Sequence, residues 1–286
     1  MRRARFIDAG LLGPRRLHAT YAGIAQTLAA GAAPVVLWAR ARAHVSLGQG
    51  QDRRLLAPGL TVPVVRRPLG GGCVWVDARQ QVVVLIAPLG LAPRRPADWC
   101  EWALGPMAAA YRAFGVPATV HGHDLWVRGR KIAGTGAATL GRAAVVASSF
   151  LMRFPATRFA SCMAMPPGLR RWLREGLDLA MTDWSREGSP PDAAALGRAY
   201  RKGLREALGW DARPAAILPG ERAAIAAAGA ERDDDWVGHG QRAGVFTLKL
   251  NAALTLEEAR DRSGRVRRLV RDGVALREER HGSTHR

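Results

Sequence analysis

Apolar residues recur at helical spacing from Leu17 to Ala30, and this periodicity predicts that the fold opens with a helix. Short apolar runs follow at Val35–Leu37, Val45–Leu47, Val62–Val65, Val74–Val76 and Val82–Ile86, separated by Gly, Pro, Gln and Asp. Such spacing reads as successive strands of a sheet. A helix is expected again over Ala97–Ala113, where Trp99, Trp102, Met107 and Tyr111 share one side. The next strand pair is expected at His123–Val127 and Ala143–Met152, joined through the turn Arg128–Arg130 and the glycine-containing stretch that follows. Helices then dominate Pro167–Leu208. The order is α+β, with a mixed and mainly antiparallel sheet flanked by helices, no strict βαβ alternation and no internal repeat.

Pro214 and Pro219 punctuate the stretch Trp210–Gly220, and beyond it the chain becomes more charged. This places a boundary there, with residues 1–212 as the main domain and 213–286 as a small accessory segment. That segment should hold a helix at Glu221–Ala228, a strand at Val245–Leu254 and a frayed end over Arg280–Arg286.

Composition changes the picture in three respects. With 286 residues and 48% hydrophobic content the chain can bury a sizeable core. Cysteines stand only at 73, 100 and 162, without paired spacing, which argues against a disulfide framework and a structural zinc site and fits a reducing cytoplasm. Met1–Ala9 carries three arginines without the apolar stretch of a secretory signal, and no run reaches the roughly 18 apolar residues of a membrane span. The net charge of +19 admits a negatively charged partner, although arginines scattered over solvated helix faces would give the same figure. With 6% aromatics and dispersed arginines, nucleic acid is the least favoured partner.

Two segments concentrate candidate chemistry. In Arg66-Arg67-Pro68-Leu69-Gly70-Gly71-Gly72-Cys73-Val74-Trp75-Val76-Asp77, three glycines allow backbone N–H groups to approach a ligand, and the arginines offer forked donors for phosphate or carboxylate. A flexible hairpin connection with two surface arginines would read the same way. In His121-Gly122-His123-Asp124-Leu125-Trp126-Val127-Arg128-Gly129-Arg130-Lys131-Ile132-Ala133-Gly134-Thr135-Gly136, a strand and tight turn deliver Lys131, one of very few lysines, into a stretch of small residues. Its compact ammonium suits a carbonyl or phosphate oxygen, while a solvated turn lysine is the plain alternative. His121 and His123 form half a metal site at most, and no metal is assigned.

The first segment resembles the Arg-Arg-x-Ser-Gly-Gly-Gly-Ala-Val-x-His-Asp motif of the lipoate–protein ligase and octanoyltransferase family. The second resembles that family's Asn-Asp-Leu…Gly-x-Lys-Ile-Ser-Gly-Ser motif. Val45-Ser46-Leu47-Gly48-Gln49 is similar to its early strand, and Asp234-Asp235-Trp236 lies where ligases carry a linker tryptophan. The resemblance spans residues 17–208 and implies a biotin/lipoate ligase-like catalytic domain. It implies that Lys131 contacts the acyl carbonyl and its activating group, and that Gly70, Gly71 and Gly72 line the acyl pocket. Arg67 would neutralise phosphate, Asp124 would lie near a magnesium ion or the nucleotide, and Asp77, Gly134 and Thr135 would complete the acyl-adenylate site. The implied reaction joins lipoate or octanoate to AMP at the expense of ATP, with Mg2+ assisting, and transfers the acyl group to a lysine of an acidic lipoyl carrier domain.

Departures from the pattern are Leu69 for Ser, Val76 for His, His123 for Asn and Val146-Ala147-Ser148-Ser149 for a His-Gly-Thr-like run. A rival within the family is a cysteine-dependent octanoyl or lipoyl transferase using Cys162, activated by a neighbouring ammonium and needing no ATP. Ser161-Cys162-Met163 lacks that branch's Pro-Cys-Gly setting, and its apolar flank suits a buried structural cysteine. A non-enzymatic module for an acidic partner is the third possibility.

Overall fold

The computed structural model describes residues 1–230, 245–250, 253–261 and 264–282. Asp234, Asp235 and Trp236 of the expected linker, and residues 283–286 of the expected frayed end, lie outside the described residues. In chain order the elements are β1 (Arg2–Leu12), α1 (Pro14–Thr27), β2 (Val35–Ala41), β3 (His44–Leu47), β4 (Val64–Arg66), β5 (Cys73–Val76), β6 (Gln80–Pro88), α2 (Trp99–Ala113), β7 (Thr119–His121), β8 (Asp124–Val127), β9 (Arg130–Gly134), β10 (Gly136–Leu140) and β11 (Ala143–Leu151). They continue with α3 (Ala156–Ser161), α4 (Pro167–Ala180), α5 (Trp184–Glu187), α6 (Ala193–Leu208), β12 (Trp210–Pro214), α7 (Pro219–Ala230), β13 (Val245–Lys249), β14 (Leu254–Asp261), β15 (Gly264–Arg271) and β16 (Val274–Gly282).

These elements form two compact units, the first made of Met1–Gly50, Thr61–Phe154 and Thr182–Trp236, the second of Gln51–Leu60, Pro155–Met181 and Val237–Arg286. A six-stranded mixed sheet in the order β10-β11-β6-β2-β1-β12 is the centre of the first unit. Its pairs from β10 to β2 are antiparallel, and β1 runs parallel to both β2 and β12. All nine residues of β6 are buried, so both faces of that strand are covered. Successive side chains of a strand point to opposite faces. Accordingly Val83, Leu85 and Ala87 join a core with Leu104, Met107 and Tyr111 of α2 and Tyr200 of α6. Val82, Val84 and Ile86 join the other core, with Leu17, Tyr21 and Ile24 of α1 and Ile225 of α7. Helix α1 crosses α7 at Gly23, where a Cβ would lie 2.4 Å from the Ile225 nitrogen, so only glycine permits that approach.

Two small three-stranded sheets, β4-β3-β5 and β7-β8-β9, carry the two motif segments. The second unit contains α3, α4 and the four-stranded antiparallel sheet β13-β14-β15-β16. There Gly176 of α4 lies against Leu250 and Leu269, and Arg277 stacks over Trp172 at 4.2 Å.

The architecture is the expected α+β one, with two corrections. The chain opens with strand β1 and not with a helix; Arg2–Leu12 lacks a continuous apolar run because its ends are exposed, but β2 and β12 flank it in the sheet. The segments 123–127 and 143–152 do not pair. Two further strands, β9 and β10, separate them, and β8 belongs to the small sheet while β11 pairs with β6 and β10. Ala, Gly and Thr between Gly134 and Leu140 give too weak an apolar alternation for a strand to be read there.

Candidate active site

The glycine loop is folded onto a buried arginine. Arg67 Nη1 donates to the Ser46 carbonyl at 2.9 Å, while Nη2 donates to the carbonyls of Gly70 at 3.0 Å and Gly72 at 2.8 Å. Burial of this guanidinium lowers its pKa, with the neighbouring Tyr21 and Cys73 opposing. Arg67 therefore spends its fork on main-chain carbonyls and shapes the loop, where phosphate neutralisation had been expected of it. Backbone bonds clamp the loop's edges: Arg67 N–H to Leu47 O at 2.8 Å, Gln49 N–H to Leu69 O at 2.9 Å and Gly48 N–H to Gly72 O at 3.2 Å. Gly71 has φ +97°, and a Cβ on Gly48 would meet the Gly71 carbonyl oxygen at 2.0 Å. Leu69, which stands where the family motif has serine, is fully buried in the apolar core beneath the loop.

The second motif is a hairpin whose register decides where Lys131 points. Arg128 (φ 48°) and Gly129 (φ 76°) make the two-residue turn with both positions left-handed that matches strand twist. Asp124 pairs with Gly134 and Trp126 with Lys131, so one extra residue sits in β9 opposite the Leu125/Trp126 step. Three positions separate Lys131 from Gly134, an odd number that would put them on opposite faces of a regular strand. The bulge reverses this parity and brings Lys131 onto the face of Asp124. Lys131 Nζ then lies 2.8 Å from Asp124 Oδ1, and a Cβ on Gly134 would be 2.6 Å from that nitrogen. The lysine side chain is 21% exposed and lies along the glycine instead of extending into solvent.

The two motifs meet. Gly70 N–H donates to Ala137 O at 3.1 Å, and a Cβ on Gly136 would approach Gly70 O to 2.8 Å. Gly70, Gly71, Arg67, Thr135 and Gly136 are consequently close neighbours, with Gly134, Lys131 and Asp124 following directly on the same strand pair. Thr135 Oγ1 donates to His123 O at 2.7 Å. Asp77 is engaged in its own turn, accepting from Trp75 Nε1 at 2.8 Å and Arg79 N–H at 2.9 Å. Cys162 belongs to the second unit, where its buried thiol donates to Arg158 O at 3.3 Å. Burial pushes its pKa up, against partial offsets from Ser161 and Arg158, the direction opposite to that of an activated thiolate. Among the described residues no group of three His, Cys, Asp or Glu is placed to hold a metal ion.

Several residues support this site that were not candidates for it in the sequence, Ser148 having been named only as part of a departure from the family pattern and Cys100 only among the cysteines. Thr182 N–H donates to Lys131 O at 2.8 Å, and Thr182 Oγ1 to Glu187 Oε1 at 2.6 Å. The buried Glu187 carboxylate also pairs with Arg128 in the hairpin turn and with Arg130 just after it. Ser148 Oγ donates to Gly134 O at 2.8 Å, and burial raises the pKa of Cys100 of α2, with Thr135 opposing. These partners lie far along the chain from Lys131 with no spacing rule to connect them, so only the fold could reveal them.

The model of the lipoyl protein ligase A/B catalytic domain matches residues 20–191. No curated protein matches the sequence significantly. Among solved structures, a bi-partite lipoate protein ligase from Thermoplasma acidophilum, studied with its E2 lipoyl domain, is 16% identical with TM-score 0.74 over 80% of this chain and 92% of its own. A lipoate-protein ligase A bound with ATP is 16% identical with TM-score 0.69, covering 79% and 94%. P. falciparum LipL1 in complex with lipoate is 12% identical with TM-score 0.60, covering 91% and 82%. At such identities these structures speak for a shared fold. The family model spans more than half of the sequence and includes both motif segments, and the chain belongs to the lipoyl protein ligase A/B catalytic domain family.

Proposed function

We propose that this chain activates lipoate or octanoate with ATP and transfers the acyl group to a lysine of a lipoyl carrier domain. The carrying observation is the placement of the Lys131 ammonium, held by Asp124 against Gly134 of β9, beside a glycine loop bonded through Gly70 to Ala137 of the strand that follows, β10. The names of the matched structures point the same way, since one is a ligase with an E2 lipoyl domain, one is bound with ATP and one is in complex with lipoate.

In the first step the carboxylate of the acid attacks the α-phosphorus of ATP, the bond to the bridging oxygen breaks, and pyrophosphate leaves. In the second, the carrier amine attacks the acyl carbonyl, AMP departs and the amine loses a proton. Lys131 bears the positive charge that both transition states need at the acyl carbonyl and phosphate oxygens, and exchanging Asp124 for those oxygens frees its donors. Gly70, Gly71 and Gly72 let the acyl adenylate approach the main chain without a Cβ in the way, and Thr135 and Gly134 border it. Arg67 acts one layer behind by holding the loop carbonyls. Mg2+ takes most of its ligands from phosphates and water, so a single carboxylate such as Asp124 fits its protein share. When bound, the ion would supply neutralisation of charge on the pyrophosphate.

Incubation of the pure chain with α-labelled ATP and octanoate or lipoate tests this reading. Acyl-AMP is the expected product, and Lys131→Ala should slow its formation by about 100-fold or more, the typical effect of removing a transition-state donor. Lys131→Arg should recover little, because a planar fork does not replace a compact ammonium lying along Gly134. No adenylate from either acid, or an undiminished rate in Lys131→Ala, overturns the reading.

A further inference from the structure

Behind the glycine loop lies a buried polar chain that the reaction above does not use. Tyr21 and His18 come from α1, His44 and Ser46 from β3, and all four are at most 7% exposed. His44 Nδ1 faces the Arg42 carbonyl at 2.8 Å. A carbonyl only accepts, so that nitrogen carries the proton. Nε2 of a neutral His44 is then an acceptor, and His18 Nε2, 3.3 Å away, must be the donor. His18 Nδ1 is left to accept from the Tyr21 hydroxyl at 3.1 Å. The contacts determine one direction for every proton along Tyr21, His18, His44 and Arg42.

The chain touches the loop through one residue, Ser46. Ser46 Oγ lies 3.4 Å from both His18 Nε2 and Arg67 Nη1, and the Ser46 carbonyl accepts from that same Nη1 at 2.9 Å. Arg67 in turn holds the Gly70 and Gly72 carbonyls. We propose that Tyr21, His18, His44 and Ser46 form a positioning network for the triple-glycine loop, setting the orientation of Arg67 and through it the carbonyls of Gly70 and Gly72. The charged and titratable groups facing it support this role. Burial, then His44, then the Arg67 guanidinium all lower the His18 pKa. His44 is lowered by burial, with the Arg42 carbonyl and the Asp77 carboxylate opposing, and Tyr21 is raised by burial with Arg67 opposing. Protonation of either imidazole would reverse a donor and place a second cation beside Arg67.

The inference rests on the loop's being the acyl site, and its test is chosen to be independent of that reading. In 15N-histidine NMR of the full chain, His18 should be protonated at Nε2 and His44 at Nδ1. Both should remain neutral at pH about 6.5, where a solvated imidazole is half charged. Either ring charged at that pH overturns the proposal. His18→Phe keeps a planar ring and removes the links to Tyr21, His44 and Ser46, while His18→Gln retains a donor near Nε2. The amides of Gly48, Gln49 and Gly70 should exchange about tenfold faster in His18→Phe, the scale of one lost buried hydrogen bond, and return toward wild type in His18→Gln, with the amides of β11 unchanged. Tyr21→Phe, which trims one hydroxyl, should move the loop amides in the same direction and serves if His18→Phe does not fold. Unchanged loop exchange, or an equal change in β11, sinks the proposal. A parallel fall of about tenfold in kcat/KM for acyl-AMP formation, carried by KM, is expected if the ligase reading also holds. A loop response in a chain whose wild type forms no acyl-AMP leaves the network standing and removes the ligase.

Discussion

Lys131 and the glycines at 70–72 stood out as candidate chemistry because their residue types are unusual for their surroundings, a lysine in an arginine-rich chain and three adjacent glycines between strands, while Asp124 entered only through the family resemblance. Arg67 was legible as important but not in its role, since its donors go to carbonyls of its own loop and of Ser46. His18 and His44, 26 residues apart, gave no signal at all. Their titration has a measurable consequence. Both imidazoles are held below 6.5 when folded, so on acidification through that value the unfolded chain takes up protons that the folded chain refuses. Stability from this source is therefore complete above pH about 6.5 and falls as the pH drops, by at most about 1.4 kcal/mol per pH unit for each histidine. Urea unfolding at about pH 7.5 and about pH 5.5 should show this loss, and His18→Gln should reduce it. Cys162, with its thiol buried on the Arg158 carbonyl, is expected to be dispensable: Cys162→Ser should retain acyl transfer within about twofold, against the many-fold loss that follows when a true nucleophile is removed. A larger loss in a normally folded variant would revive the cysteine transferase.

At the scale of elements, the hairpin of β8 and β9 is the part that turns sequence into a site. Its turn, Arg128-Gly129, falls within the expected Arg128–Arg130, whereas the bulge that moves Lys131 to the face of Asp124 was not readable, because local residue preferences do not specify which partner position is skipped. The hairpin is pinned by α5, through Glu187 to Arg128, Arg130 and Thr182 and through Thr182 N–H to the Lys131 carbonyl. Glu187→Gln keeps the shape and removes the charge. It should cost about 1–3 kcal/mol of stability and slow acyl-AMP formation more than a remote substitution of equal cost, as read from urea titration beside steady-state rates. Equal rates for the two variants would mean that the clamp does not position Lys131.

For the whole molecule, the net charge of +19 matters for encounter more than for folding. If the carrier domain is acidic, raising salt should slow transfer to it more than it slows acyl-AMP formation, because screening acts on the approach of two macromolecules and little on a bound small acid. Equal sensitivity in paired rate measurements would count against a steered encounter. Among the described residues no helix is long and apolar enough to cross a membrane. The α+β class, most strands and helices between Val35 and Leu208, and the family could be read from local patterns: periodicity reports burial, and two spaced motifs report the loops. Strand β1, the separation of β8 from β11 and the division of the chain into two discontinuous units could not, since each depends on which distant segments pair. The residue types of the site were thus set by the sequence itself. Their convergence was decided only by the tertiary structure, through one strand bulge, one buried arginine and the backbone bond between Gly70 and Ala137, because contacts between remote segments have no local signature.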